Sequence, residues 1–267
     1  MNSDLVLQIS NLSLEYWIFQ RDLKSLLTSF VKRKSLSTRI PVFENISTEI
    51  RKGEIVALMG PNGTGKSSLL YAICGKMPIT NGKVETYGKI IAYLGNYTGL
   101  TGIHTGIETL RQLAALHGTS PSIIDRNLEK ISASSGLPIE LIRNRQMYTY
   151  SKGMTSRLNS SLSLVIRGSL NIFDETIEAG DLNFRDNLFL SIEKNLGSGS
   201  SYLIASHSVS TWEKIRQLGG RFLVLGNRTL LYDGRDLDKA KKLYDDNPNF
   251  VSQRIEPPLL DDEKVAV

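Results

Sequence analysis

The stretch EIVALMGPNGTGKSSLLYAICG, residues 54–75, decides the fold. Residues 55–59 form a continuous apolar run, which is typical of a strand buried on both faces of a sheet. A glycine-rich loop follows this run, and the segment SSLLYAICG after the loop has the composition of a helix. A strand, a glycine-rich loop and a helix in direct succession predict an α/β fold with an anion site at the helix N-terminus.

The glycine-rich loop matches the phosphate-binding consensus G-x-x-x-x-G-K-[ST] at every fixed position. Its residues are Gly60, Pro61, Asn62, Gly63, Thr64, Gly65, Lys66 and Ser67, and Ser68 follows them. Backbone amides of the loop would surround a β-phosphate, and the Lys66 ammonium would face β- and γ-phosphate oxygens. Ser67 is the expected hydroxyl ligand of Mg²⁺. The glycine spacing does not fit the dinucleotide-binding pattern G-x-G-x-x-G.

Two adjacent carboxylates, Asp174 and Glu175, follow the apolar run LNIF at 170–173. In enzymes with a phosphate-binding loop, a carboxylate on a neighbouring strand holds hydrated Mg²⁺. Since consecutive side chains at a strand end diverge, we expect Asp174 to face the metal and Glu175 to orient water for attack on the γ-phosphate. The alternative is a solvated acidic pair, but the loop upstream favours the catalytic interpretation.

A histidine, His207, ends another apolar run, YLIAS at 202–206. Ligands of open α/β sheets bind at the carboxyl ends of the strands, so His207 is a candidate donor to a γ-phosphate oxygen. The alternative interpretation is a surface histidine without a role.

Composition excludes several classes of protein. The chain has 267 residues, a net charge of +5 and one cysteine, Cys74. A single cysteine excludes a disulfide scaffold and a cysteine-built zinc site, and it fits a reducing compartment. The sequence lacks an apolar run of about 18 residues and the layout of a signal peptide, so we expect neither a membrane span nor secretion.

The organisation along the chain indicates a parallel sheet with helical insertions. Predicted strands are 5–10, 42–50, 54–59, 170–173, 202–206 and 221–226. Residues 105–134 lack strand-like alternation and are expected to be helical, with Pro121 at a helix start. A further helix is predicted for SRLNSSLSLVIRG, residues 156–168. Residues 20–34 have the apolar spacing of an amphipathic helix with a basic opposite face.

Five motifs follow one another in a recognisable order. They are GPNGTGKSS (60–68), YSKGM (150–154), NIFDE (171–175), EAGD (178–181) and SHS (206–208). This order resembles the nucleotide-binding subunit of ATP-binding-cassette (ABC) transporters. The resemblance implies a RecA-like core with a mixed β-sheet, an inserted helical subdomain, and ATP with Mg²⁺ as ligands. It places the core at about 1–95 and 159–240, the subdomain at about 96–158 and a C-terminal tail at 241–267.

The resemblance also implies a homodimer. Ser151 and Gly153 correspond to the family's signature motif, at the N-terminus of a helix that suits a γ-phosphate. Because this motif lies on the helical subdomain, the family forms two composite sites from a head-to-tail pair. Tyr16 is at the position where the family stacks an aromatic ring on adenine. Trp17 is a rival, and both aromatics could instead pack under the inserted helix.

More narrowly, the chain resembles the ATPases of bacterial polysaccharide exporters, which move lipid-linked O-antigen, capsule or teichoic acid. The features are the YS-x-GM signature, the AGD loop, LTGIHTGIETL at 100–110, and the long insertion at 17–40. This resemblance implies a separate membrane permease and a location on the cytoplasmic face of the inner membrane. Rival assignments are an ABC ATPase for a lipid or drug, and a soluble P-loop kinase.

Two features leave alternatives open. The family's Mg²⁺-sensing glutamine is absent, and Gly95 or Asn96 would stand in its place. The basic helix at 20–34 would meet anionic head groups or the pyrophosphate of a lipid-linked sugar, or it covers a sheet edge with a solvated face. A nucleic-acid partner is not expected, because this basic segment lacks interleaved stacking aromatics beyond Phe30.

Overall fold

The structure, a computed structural model, describes residues 4–19, 37–94, 102–175 and 182–247. Several sequence predictions lie outside these residues. They are the basic helix at 20–34, the stand-ins Gly95 and Asn96, the EAGD loop and the tail from 248 onward.

The described strands form two sheets. They are β1 (Leu5–Phe19), β2 (Ser37–Arg51), β3 (Ile55–Met59), β4 (Asn81–Thr86), β5 (Ile90–Tyr93), β6 (Leu170–Phe173), β7 (Ser201–Ala205), β8 (Arg221–Gly226) and β9 (Thr229–Gly234). An antiparallel sheet has the order β2-β1-β4, and a six-stranded sheet has the order β5-β6-β7-β3-β8-β9. In the larger sheet only β9 runs antiparallel to its neighbour. The predicted mixed sheet is therefore confirmed.

The described helices lie between strands and after the last strand. They are α1 (Lys66–Ile73), α2 (Gly106–Leu116), α3 (Ser122–Arg126), α4 (Leu128–Ser135), α5 (Ile139–Asn144), α6 (Lys152–Ser161), α7 (Leu182–Leu196), α8 (Val209–Gln217) and α9 (Leu237–Asp245). Pro121 immediately precedes α3. Within the described part of the chain, no helix has both the length and the apolar composition needed to cross a membrane.

Strand β3 lies between two hydrophobic cores, since successive side chains point to opposite faces. Val56 and Leu58 join the core that contains α1 and the antiparallel sheet. Ala57 and Met59 join the core that contains the helices between β5 and β6. All five residues of β3 are buried, which holds the end of the strand, where the loop begins, in a fixed place.

The helix predicted for 156–168 is wrong at its C-terminal end. Helix α6 ends at Ser161 and a short 3₁₀ turn covers Leu162–Leu164. The hydroxyls of Ser161 and Ser163 donate to the carbonyls three residues earlier, at 2.6 and 2.7 Å. Such side-chain bonds compete with the helical backbone pattern, so the chain leaves the helix here.

Two of the predicted domain boundaries fall inside helices. The boundary at about 158 lies within α6, and residue 240 lies within α9. Helix α9 packs on α8, where the Trp212 and Tyr244 rings meet edge to face with centroids 5.0 Å apart. Lys241 Nζ donates to Glu213 Oε1 at 2.7 Å across the same contact. Residues 241–245, the start of the predicted tail, thus belong to a packed helix.

Candidate nucleotide-binding site

The glycine-rich loop joins β3 to α1, and close packing requires glycine at its two ends. A Cβ at Gly60 would lie 2.7 Å from the Leu225 carbonyl oxygen, and φ is 156° there. A Cβ at Gly65 would lie 2.8 Å from Val42 Cγ1, with φ at 94°. A side chain at either position would push the loop away from β8 or β2. The loop backbone is therefore held close to both β8 and β2.

Lys66 is the buried cation of this loop. Its side chain is 5% exposed, and Nζ donates to the carbonyls of Gly60 at 2.7 Å and Pro61 at 3.2 Å. Nζ also lies 3.4 Å from Glu175 Oε1. Thr64 Oγ1 donates to the Pro61 carbonyl at 2.9 Å and braces the loop from within. The ammonium is thus aimed by the loop's own carbonyls, as a phosphate-binding lysine requires.

The predicted metal ligands lie side by side. Ser67 Oγ donates to Asp174 Oδ2 at 3.4 Å, although 107 residues separate them in the chain. Burial raises the pKa of the Asp174 carboxyl, and the backbone N–H of Glu175, which donates to it at 2.9 Å, works against this shift. A hydroxyl and a carboxylate are oxygen ligands of the kind that Mg²⁺ takes beside phosphate groups. These residues therefore fit a magnesium ion.

Glu175 contacts both Lys66 and His207. His207 follows β7, and its Nδ1 is 3.6 Å from Glu175 Oε1. The histidine side chain is 52% exposed and Glu175 is 39% exposed, so both are accessible to solvent, but of the two only Glu175 lines the cleft along the glycine-rich loop. Asp174 meets Ser67 while Glu175 meets Lys66 and His207, which is the divergence expected of consecutive residues at a strand end.

A cleft of about 520 Å³ runs along the loop. It is lined by Tyr16, Ile40, Pro41, Val42, Asn62, Gly63, Thr64, Gly65, Lys66, Ser67, Ser68, Glu175 and Arg228. Tyr16 shares a 2.7 Å hydrogen bond between its hydroxyl and Ser68 Oγ. Trp17 instead lies under the Arg39 guanidinium, 4.4 Å from the ring centroid. Of the two rival aromatics, Tyr16 is therefore the one that lines the cleft.

Part of the lining of this cleft was not predicted from the sequence. Ile40, Pro41 and Val42 line the cleft, but only Val42 lies within a predicted strand, 42–50. Arg228 also lines the cleft. Asn227 and Arg228 lie between two apolar segments, and this pattern is typical of a hairpin turn. No sequence pattern near the turn relates it to the glycine-rich loop.

The structure does not bring the signature residues to this cleft. Ser151 Oγ accepts a hydrogen bond from the Met154 N–H at 3.2 Å and caps α6. Ser151 is exposed and Gly153 is half-buried. Neither Ser151 nor Gly153 is among the described residues that line the cleft. Their predicted contact with a γ-phosphate therefore requires a site other than the cleft of the same chain.

Comparison with known proteins identifies the family. The ABC transporter family model matches residues 43–178, a span from β2 past the two carboxylates. The chain belongs to the ABC transporter family. This match covers the glycine-rich loop, the signature residues and the acidic pair of the cassette, and it confirms the family predicted from the order of the motifs.

Relatives of this ABC protein are named as ATP-binding proteins, and some of these names specify export. The "O-antigen export system ATP-binding protein RfbB" of Klebsiella pneumoniae is 33% identical over 172 residues, 64% of this chain and 69% of that protein. The "ATP-binding protein BexA" of Haemophilus influenzae is 30% identical, over 77% of this chain and 90% of that protein. A "Teichoic acids export ATP-binding protein TagH" of Levilactobacillus brevis is 30% identical over 80% of this chain, but over only 58% of its own length. The narrower resemblance to polysaccharide exporters is thereby confirmed.

Solved structures agree on the cassette fold. A structure titled "Structure of ATP binding subunit of ABC transporter" has a TM-score of 0.70 at 21% identity, covering 92% of this chain and 96% of that chain. A dimeric ATP-binding cassette in a post-hydrolysis state, bound to ADP and Pi, has a TM-score of 0.68 at 17% identity, covering 86% and 99%. The predicted fold is confirmed by both.

Proposed function

We propose that this chain is the ATP-binding and ATP-hydrolysing subunit of an ABC exporter that moves a lipid-linked polysaccharide across the bacterial inner membrane. The observation that carries the proposal is the similarity to export ATP-binding proteins for O-antigen and teichoic acid, at 30–33% identity. The cleft with Lys66 at its base supports ATP as the ligand.

The residues of the cleft have distinct tasks in this proposal. Loop amides and Lys66 bind the phosphates, and Lys66 exchanges its contact with Glu175 for phosphate oxygens. Ser67 and Asp174 hold Mg²⁺, which supplies neutralisation of charge on the β- and γ-phosphate oxygens. Glu175, released from Lys66, orients the attacking water and accepts its proton.

His207 and the adenine end complete the site. The exposed imidazole of His207 donates a hydrogen bond to the γ-phosphate and helps hold it in line with the water. Tyr16 stacks on the base, with its ring fixed by the bond between its hydroxyl and Ser68. Stacking is tolerant of base identity, so Tyr16 supplies affinity rather than selection of ATP.

A second copy of the chain completes the site from outside. Ser151 and the amides at the start of α6 present donors and a helix N-terminus, and they lie away from the cleft of their own chain. In a head-to-tail homodimer these groups, with Gly153, contact the γ-phosphate held by the partner. Binding of two ATP molecules closes the dimer, and hydrolysis reopens it. The closing motion is passed to an integral-membrane permease, with the cassettes on the cytoplasmic face.

The native cell provides the decisive experiment. We would replace Glu175 by Gln and compare surface polysaccharide with lipid-linked polymer retained inside. Loss at the surface with accumulation inside is expected. Glu129→Gln changes an exposed carboxylate on α4 and should leave export intact. Unchanged surface polymer in a strain whose purified Glu175→Gln protein no longer hydrolyses ATP would contradict the cargo and favour a lipid or drug exporter.

A separate experiment distinguishes a transporter subunit from a soluble kinase. The Glu175→Gln protein should dimerise on a sizing column when ATP and Mg²⁺ are added, because hydrolysis no longer reopens the pair. A kinase has no use for Ser151 in a second copy, so an elution volume that ATP does not change would contradict the composite site.

A further inference from the structure

The turn between β8 and β9 holds an arginine in an unfavourable backbone conformation. The register pairs Gly226 with Thr229, so the turn consists of Asn227 and Arg228. Their φ angles are 48° and 63°, both in the left-handed region. Asparagine tolerates this conformation because its short side chain can hydrogen-bond to the local backbone, whereas a long side chain has no such compensation. Such outliers cluster at functional sites, so the position of Arg228 calls for an explanation.

Contacts with two other elements fix this turn beside the loop. The Arg228 carbonyl accepts a hydrogen bond from the Glu44 N–H at 2.7 Å, which ties the turn to β2. Just before the turn, the Leu225 carbonyl oxygen lies against Gly60, where the glycine-rich loop begins. The backbone of Arg228 is thus held between β2 and the loop, and its side chain lines the cleft.

Residues 40–42 of β2 line one wall of the cleft, and Arg228 and Tyr16 lie at opposite ends of this wall. Tyr16 pairs with Ile40, and Arg228 bonds Glu44, four residues further along β2. At about 3.3 Å per residue these two anchor points are about 13 Å apart. Between them Val42 contacts Gly65 of the loop. A nucleotide whose base lies on Tyr16 would therefore extend its phosphates along this wall towards Arg228.

The charges of the cleft agree with this direction. Its charged lining residues are Lys66, Glu175 and Arg228. Lys66 is shared among two carbonyls and Glu175, and the Glu175 carboxylate partly offsets its charge. Arg228 is exposed and brings a second cation to the cleft. A planar guanidinium suits phosphate oxygens, because it offers two parallel N–H donors.

We propose that Arg228 is a nucleotide-binding residue that contacts the phosphate chain of ATP from the β8–β9 turn. This inference rests on the proposed function, since it takes the cleft to be an ATP site. The Glu44 N–H anchors the backbone of the turn, and the Arg228 side chain lines the cleft. The strained conformation is retained because the side chain binds phosphate.

Calorimetric titration with MgATP and with inorganic tripolyphosphate tests the proposal. Arg228→Gln should lower the affinity for both ligands about tenfold, the loss expected for one solvent-accessible charge-assisted hydrogen bond. Arg228→Lys should recover part of that loss, because the charge is retained. The matched control is Arg216→Gln on α8, an exposed arginine paired with Glu213, which should change neither affinity.

A second variant separates binding from folding. Arg228→Gly relieves the strain at a φ of 63°, so its Tm should be no lower than that of the wild type while its affinity falls like that of Arg228→Gln. Wild-type affinity for MgATP in Arg228→Gln would overturn the inference alone. A loss for MgATP without a loss for tripolyphosphate would also overturn it, because the contact would then be with base or ribose. Absence of MgATP binding by the wild type would overturn the proposed function as well.

Discussion

Lys66 Nζ lies 3.4 Å from Glu175 Oε1, so the loop's cation and the proposed catalytic carboxylate form an ion pair. The same ammonium is bonded to two loop carbonyls, which keep it in place when this contact is broken. In the proposed mechanism the carboxylate competes with phosphate for Lys66, so the binding of ATP would release it.

This relationship predicts the behaviour of Glu175→Gln in solution. Removal of the carboxylate charge eliminates the competitor for Lys66 but also removes the proton acceptor. We expect affinity for MgATP to be retained or improved, while phosphate release falls by at least about 10²-fold, the usual contribution of a general base. Equilibrium binding and a phosphate-release assay check the two parts. Hydrolysis at the wild-type rate would contradict the role given to Glu175, and Glu129→Gln is the control.

Tyr16 and Trp17 are adjacent, but we expect their substitution to affect the affinity for MgATP differently. Tyr16→Ala should weaken MgATP about tenfold, because stacking of a base on an aromatic ring contributes roughly 1–3 kcal/mol. Tyr16→Phe keeps the ring and loses the bond to Ser68, so it should retain most of the affinity. Trp17→Ala should bind like the wild type, since Trp17 contacts Arg39. Titration with a fluorescent ATP analogue measures all three, and a larger loss in Trp17→Ala than in Tyr16→Ala would contradict the assignment.

Glu108 should make stability depend on pH. Its carboxylate accepts hydrogen bonds from the Thr105 N–H at 2.8 Å and hydroxyl at 2.9 Å, at the start of α2. These bonds lower the pKa of Glu108 below 4.5. The carboxylate therefore stabilises the fold above the unfolded-state pKa, and this contribution disappears as the pH falls through the lowered folded-state pKa.

Denaturant unfolding tests this cap. Glu108→Gln should be less stable than the wild type at pH 7, and the two should converge in acid. Glu129→Gln is the matched control, because Glu129 lies in the first turn of α4, where no side chain caps the helix. Thr105→Ala removes the other half of the cap and should cost about 1 kcal/mol. A Glu108→Gln deficit that persists unchanged in acid would contradict the electrostatic origin.

The alkylation rate of the Cys74 thiol should report unfolding of the protein. Burial raises the pKa of its thiol from 9.0 to about 11, with a smaller opposing effect from Lys76. Since the thiolate is the reactive form, alkylation at pH 8 should be roughly a hundredfold slower in the native protein than in guanidinium chloride. Mass spectrometry over time measures both rates. Equal rates would show that the end of α1 opens freely, and Cys74→Ala provides the unlabelled control.

Local motifs were predictable because covalent connection alone brings their atoms together. The run from 54 to 75 contains strand, loop and helix in order, so Lys66 and Ser67 had to start a helix beside a phosphate-binding loop. Strands β3, β6, β7 and β8 were predictable from short, mainly apolar runs, since a strand buried on both faces consists largely of apolar residues. Family membership followed from the order of such motifs.

Long-range relationships were decided by how the strands pair. Ser67 meets Asp174 because β6 and β3 both flank β7 in one parallel sheet and end at the same edge. Sequence alone could not choose between Tyr16 and Trp17, because the choice depends on the face that β1 turns towards the cleft. The premature end of α6 depended on serines whose hydroxyls bond backward once they are buried.

The sequence by itself therefore determined the phosphate-binding loop, the acidic pair and the class of the fold, since these are properties of contiguous residues. Only the tertiary structure decided that Arg228 lines the same cleft as Tyr16, that Glu175 contacts Lys66, and that Ser151 lies elsewhere. The physical reason is that hydrogen-bonded strand pairing places residues far apart in the chain within a few ångströms, and no local pattern encodes the partner.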